Sequence, residues 1–244
     1  MLELGIVGMV VGLLSGFFGV GGGTVSIPLL LFMGYETKVA IGISVIQMVF
    51  SSLYGSYLNH KNGTLESTMV LYIGSGGFAG ALLSGVISSY LSARTLEVIF
   101  FCFVLFALIR VFSKIHDYTT PQRSIHPALL VAIGFFLGAI SMTIGVGGSI
   151  LLVPILVGFF HIELKKAISA GLFFVVFSSV SGLISHAIAG DLEIVDGMIV
   201  GIASLVGVYF GIILKDRIEV GIQRKLLLLF YGVVLVYLAQ RIFL

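Results

Sequence analysis

"GFFGVGGGTVSIPLL", residues Gly16 to Leu30, places five glycines in the eight positions from Gly16 to Gly23 and a proline at position 28. It lies inside a charge-free run from Leu4 to Met33. Glycine weakens a helix and proline removes one of its donors, so a continuous helix through this stretch is not expected. In a bilayer, irregular backbone survives only where it is buried in protein or lines a watery cavity. The break therefore implies a bundle of spans around it.

The composition supplies those spans. Of 244 residues, 59% are hydrophobic and 10% charged, and the mean hydropathy is +1.20. A soluble domain of this length needs a far more polar surface. Eight apolar segments are legible: Leu4–Met33, Val39–Asn59, Ser67–Leu91, Thr95–Ser113, Ala128–Phe160, Ala167–Ala189, Ile194–Leu214 and Leu226–Phe243. They predict an all-α polytopic membrane protein. The net charge of +2 gives no reason to expect a nucleic-acid partner. Cys102, the single cysteine, sits between two phenylalanines and reads as a packed or lipid-facing thiol. No cleavable signal is evident at the start, where Glu3 is the only charge.

The chain repeats. A shift of 126 lays "GVGGGTVSIP" (Gly19–Pro28) on "GVGGSILLVP" (Gly145–Pro154). A shift of 127 lays Phe50–Ser52 on Phe177–Ser179 and Gly55 on Gly182. The polar stretch 114–127 reads as a linker between a first membrane repeat, 1–113, and a second, 128–244.

The two Gly-broken segments, Leu4–Met33 and Ala128–Phe160, contain 30 and 33 residues, too long for one upright crossing of a core about 30 Å thick. Each either crosses steeply tilted or turns at its glycines and leaves where it entered. With eight single crossings the cations divide weakly: Lys61, Arg110, Lys114, Arg123 and Arg241 share a side with the termini. With two re-entrant segments, only Lys38, Arg94 and Arg241 remain there, and the other ten fall opposite. The positive-inside rule favours the re-entrant scheme and puts the ten in the cytoplasm. Each half then crosses three times, giving inverted repeats, a recurrent plan of transporters.

The breaks read as a binding site. Gly19, Gly21, Gly22 and Gly23 leave N–H groups uncovered, and a half-helix starting near Thr24 adds its positive end. Together these suit an anion. Gly145, Gly147, Gly148 and Ser149 form the opposing copy. The competing reading is that these glycines only let helices pack closely. Ser44, Gln47 and Ser51 share one face of the second segment. Gln47, its one long polar side chain, is expected to point inward, either to the ligand or as an adhesive between helices. Ser178 and Ser179 repeat Ser51 and Ser52. His60 and His186 read as capping groups near span ends. No Lys, Arg, Asp or Glu lies within the first, second, fifth or sixth segments, so a bound anion would meet neutral donors. No metal-ligand cluster, nucleophile–base pair or nucleotide-binding unit is legible, which argues against an intramembrane enzyme; a passive anion channel is the other alternative. No cofactor is called for.

The duplicated glycine blocks, each followed by a span with small polar residues, resemble the TauE/SafE family of sulfite and organosulfonate exporters across both halves. The resemblance implies a permease of the bacterial inner membrane for small sulfur anions such as sulfite or sulfonates. It maps onto Gly19, Gly21–Gly23 and Pro28, and onto Gly145, Gly147, Gly148 and Pro154, with Ser149 standing where the family pattern has a third glycine. The partners it implies are that anion and the lipid bilayer; a homo-oligomer is compatible with it.

Overall fold

The computed structural model describes residues 1–63, 67–112, 126–190 and 192–243. Eleven helices are found among them and no strand: α1 (Leu2–Phe18), α2 (Gly23–Phe32), α3 (Thr37–Lys61), α4 (Ser67–Ala81), α5 (Ser84–Tyr90), α6 (Ala93–Phe112), α7 (Pro127–Thr143), α8 (Ser149–Phe160), α9 (Leu164–Ala189), α10 (Ile194–Arg217) and α11 (Val220–Phe243). By length and apolar character α3, α6, α9, α10 and α11 can each cross a membrane, and α4 with α5 makes a sixth candidate bent by 41°. The linker expected at 114–127 lies outside the described residues up to position 125; Pro127 already opens α7.

Each overlong segment is two short helices joined at its glycines. Gly19, Gly21 and Gly22 have φ of 68°, 75° and 87°, and Gly145, Gly147 and Gly148 have 68°, 81° and 75°. Those angles suit glycine and are costly for residues with a Cβ. The third segment, expected as one span, bends between Ala81 and Ser84. There the Gly85 N–H donates to Ser185 Oγ at 2.8 Å, which draws α5 onto α9.

Close packing fixes the helix directions. Gly8, Gly12 and Gly16 of α1 lie against Val200, Ser204 and Val208 of α10, so the two helices run parallel. Gly134 and Gly138 of α7 lie against Ile73 and Gly77 of α4 in the same sense. Ile46, Phe50 and Gly55 of α3 meet Gly197, Gly201 and Val208, again parallel to α10. Small residues let membrane helices approach this closely, and here they pair the first helix of each half with a helix of the other. α9 runs alongside α4, where Ser181 and Ser185 donate to the carbonyls of Phe78 and Leu82.

α1 and α3 therefore point the same way, and the chain must double back between them. Tyr35, just past α2, donates to Asp196 at the start of α10 with a 2.7 Å bond. Burial, then Asp196, Glu193 and Glu3, push its phenol up to about 12. Both ends of the α1–α2 stretch thus lie at the Asp196 end of the bundle. At that end Glu97 accepts from Thr37 Oγ1 at 2.6 Å and from Arg241 Nε at 3.0 Å, tying α3, α6 and α11 together. At the opposite end Lys165 of α9 donates to the Asp216 carbonyl at 3.2 Å. Arg110, near the end of α6, stacks over Phe159 near the end of α8, 4.1 Å from the ring centre.

Candidate functional site

The two glycine breaks meet inside the bundle. A Cβ on Gly23 would collide with the Gly145 carbonyl and Val146 Cα. Residues from Ser15 to Pro28 and from Ser141 to Pro154 are all buried. Gly22 and Gly148 are the N-caps of α2 and α8, and neither helix has a side-chain cap; Val25 and Leu151 N–H donate to the cap carbonyls, and the N–H groups of Gly23 and Thr24, and of Ser149 and Ile150, remain for other acceptors.

α3 and α9 wrap these breaks in matching ways. Ser51 Oγ lies 3.4 Å from the Gly21 carbonyl and 3.3 Å from that of Met48. Its counterpart Ser178 lies 3.3 Å from the Gly147 carbonyl, with Phe174 and Val175 carbonyls as other acceptors. Ser52 and Ser179 meet each other at 3.4 Å. Ser44 donates to the Gly145 carbonyl at 2.9 Å, crossing from the first half to the second break. Ser44, Ser51 and Ser178 thus reach break carbonyls, and each hydroxyl has one hydrogen to give.

Gln47 differs. It is fully buried, its amide rests on Gly22 where a Cβ would be, and neither Oε1 nor Nε2 has a partner. Thr24 Oγ1, Ser26 Oγ, Ser15 Oγ and Ser149 Oγ are also buried and unpartnered. Leaving such groups unmet costs about 1–3 kcal/mol each, and all of these except Ser149 belong to the first break or to the helix that covers it. All twelve expected site residues, Gly19, Gly21, Gly22, Gly23, Thr24, Gln47, Ser51, Gly145, Gly147, Gly148, Ser149 and Ser178, come together in this buried region.

The histidines separate. His60 is exposed at the end of α3, while His186 is fully buried, with Nε2 3.3 Å from the Met142 carbonyl at the end of α7. Its burial was not legible, because only the tertiary packing brings the end of α7 against α9. Two more groups escaped the sequence reading. Lys215, one residue past an apolar segment, reads as a loop cation, yet it is fully buried, donates to Asn59 Oδ1 and Ser169 Oγ, and sits 3.5 Å from Asp216. Gln223 is buried too, and its Nε2 donates to the Phe17 carbonyl at the end of α1 with a 2.8 Å bond. Only its place ahead of the last apolar segment could have hinted at this. Among the described residues no group of three or more His, Cys, Asp or Glu comes together to hold a metal ion.

The sequence profile of the Sulfite exporter TauE/SafE family matches residues 4–238. The chain is 26% identical to the "Probable membrane transporter protein YunE" of Bacillus subtilis over 259 aligned positions, covering 95% of this chain and 93% of that one. It is 25% identical to a "Probable membrane transporter protein" of Haemophilus influenzae, covering 76% of this chain and 73% of the other. It is also 26% identical to the "Probable membrane transporter protein MJ0441" of Methanocaldococcus jannaschii, covering 75% and 71%. No solved structure matches significantly. With the profile spanning nearly the whole chain and several apolar helices to carry it through a bilayer, the protein belongs to the TauE/SafE family of membrane transporters, not enzymes.

Proposed function

We propose that the protein is a secondary permease of the bacterial inner membrane for small sulfur-containing anions such as sulfite or organosulfonates, bound at the glycine breaks near the middle of the bundle. One observation carries the reading: the Gln47 amide, fully buried and unpartnered, lies against the N-cap of α2. A sulfite or sulfonate oxygen is an acceptor of the kind that amide and those N–H groups call for. A cation there would find no counter-charge: among the described residues, Glu97 is the buried carboxylate, and it is engaged at the Asp196 end. The absence of a fixed cation beside the break suits a carrier, which must release its ligand.

The same reading makes the halves inverted repeats, 1–113 and 128–244, with α1–α2 and α7–α8 as re-entrant pairs and six crossings. The shared direction of α1 and α3 supports it, as does the charge distribution. Lys61, Arg110, Lys165, Lys166, Lys215, Arg217, Arg224 and Lys225 gather at the Lys215 end, against Lys38, Arg94 and Arg241 at the other. The Lys215 end is then cytoplasmic. In a Cys102→Ser background, a cysteine placed after Leu244 should react with an impermeant thiol reagent from outside, and one at Asn62 only from within. Cytoplasmic labelling after Leu244 refutes the arrangement.

The deciding experiment titrates sulfite against purified wild type, Gln47→Leu and Gln47→Glu. Gln47→Leu is expected to weaken binding by about 1.5–3 kcal/mol, the scale of a hydrogen bond to a charged partner. Gln47→Glu should be worse, because it sets a carboxylate beside the anion. Gln47→Leu should leave the unliganded protein at least as heat-stable, since it removes two unmet polar atoms. An amide that merely glued helices would give the reverse, lower stability with unchanged affinity. Tighter sulfite binding by Gln47→Glu rules out an anion site.

A further inference from the structure

The two breaks share a backbone but not a chemistry. At the 126 shift Thr24 and Ser26 of α2 correspond to Ile150 and Leu152 of α8, and at the 127 shift Gln47 of α3 corresponds to Phe174 of α9. The contacts keep that correspondence: a Cβ on Gly22 would strike the Gln47 amide, and a Cβ on Gly148 would meet the Phe174 ring at 2.6 Å. Phe174 is fully buried and also fills the space beside Gly77 of α4. The serine one turn before each break differs as well. Ser141 donates to the Leu137 carbonyl, whereas Ser15 Oγ has no partner.

The unmet polar atoms follow the same division. Ser15 Oγ, Thr24 Oγ1, Ser26 Oγ and both amide atoms of Gln47 belong to the first break; Ser149 Oγ belongs to the second. We infer that the anion is held by the first break alone, one per chain, at the N-terminal end of α2 by Gln47 and Thr24, while the second break is a buttress sealed by Phe174. This rests on the anion-carrier reading above and narrows its site from two half-sites to one. Gln47 Nε2, the Thr24 hydroxyl and the N–H groups at the uncapped start of α2 are donors enough for the three oxygens of a sulfite or sulfonate group. Ile150, Leu152 and Phe174 offer no donor from their side chains, and the Ser141 hydroxyl that also lies beside Gly148 is spent on the Leu137 carbonyl, so Ser149 Oγ is the one unmet hydroxyl at the start of α8.

Equilibrium dialysis of 35S-sulfite against the full chain in lipid nanodiscs tests it. Wild type should bind one sulfite per chain. Thr24→Val and Gln47→Leu should each lower affinity at least about tenfold, the loss of one charge-assisted bond, without lowering the melting temperature of the unliganded protein. Phe174→Leu should keep affinity within about threefold even where it lowers that melting temperature. Two sulfites per chain, or a loss in Ser149→Ala equal to that in Thr24→Val, overturns the one-sided site and leaves the carrier reading standing. No binding of sulfite, thiosulfate or sulfoacetate by wild type overturns both.

Discussion

Gly22→Val is expected to cut sulfite transport about 100-fold or more while the protein still folds in the membrane. Gly22 sits at φ 87° and ψ −35°, a conformation that a β-branched residue adopts only under strain. The added Cβ would also lie within the Gln47 amide, so the amide must swing away from the N-cap of α2. Strain and displacement together remove about 3 kcal/mol of binding, which is the 100-fold. Insertion should survive, because Gln47 is a side chain that can give way, whereas the packed spans α3, α9 and α10 are untouched. Initial rates of 35S-sulfite flux in proteoliposomes, with a monodisperse gel-filtration peak as the folding control, measure this. Rates within about threefold of wild type would take Gly22 out of the site.

A second large effect is expected in a variant far from any ligand. Gly12→Ala adds a single carbon where the Ser204 carbonyl of α10 already lies. Backbone cannot step aside as a side chain can, so α1 and α10 must separate along a seam that also includes Gly8 and Gly16. Overpacking of this kind costs about 3 kcal/mol, and for a chain of this size that lowers the melting temperature by roughly 6–12 °C. Gly5→Ala is the matched control on the same helix: nothing stands within 4 Å of the added carbon. It should be neutral or slightly stabilising. Thermal melts of the two variants in one detergent give the comparison, and equal melting temperatures would contradict the seam.

The sequence determined by itself that the chain is a helical membrane protein, where its apolar segments lie, and that its two longest ones break at Gly19–Gly22 and Gly145–Gly148. Composition and local backbone chemistry carry that information: charges are excluded from hydrocarbon, and a run of glycines cannot hold a helix whatever surrounds it. That the twelve expected site residues lie close together was legible for the same reason, since the repeat marks most of them twice and the others lie within about one helical turn of those. Partnership was another matter. These helices are apolar on every side, so no stripe announces which face is inside. Small residues select the neighbour, and which groove a glycine enters is settled only by long-range packing. That is how α1 comes to lie on α10 and α7 on α4, and how the bend between α4 and α5 arises at Ser185. Lys215 looked like a loop charge because nothing near it in sequence tells that Asn59 and Ser169 close over it. The inequality of the breaks was written in the letters Gln47 and Phe174, but it acquires meaning only in three dimensions. There one side chain lies on Gly22 with its amide unmet, and the other lies on Gly148 with nothing to donate.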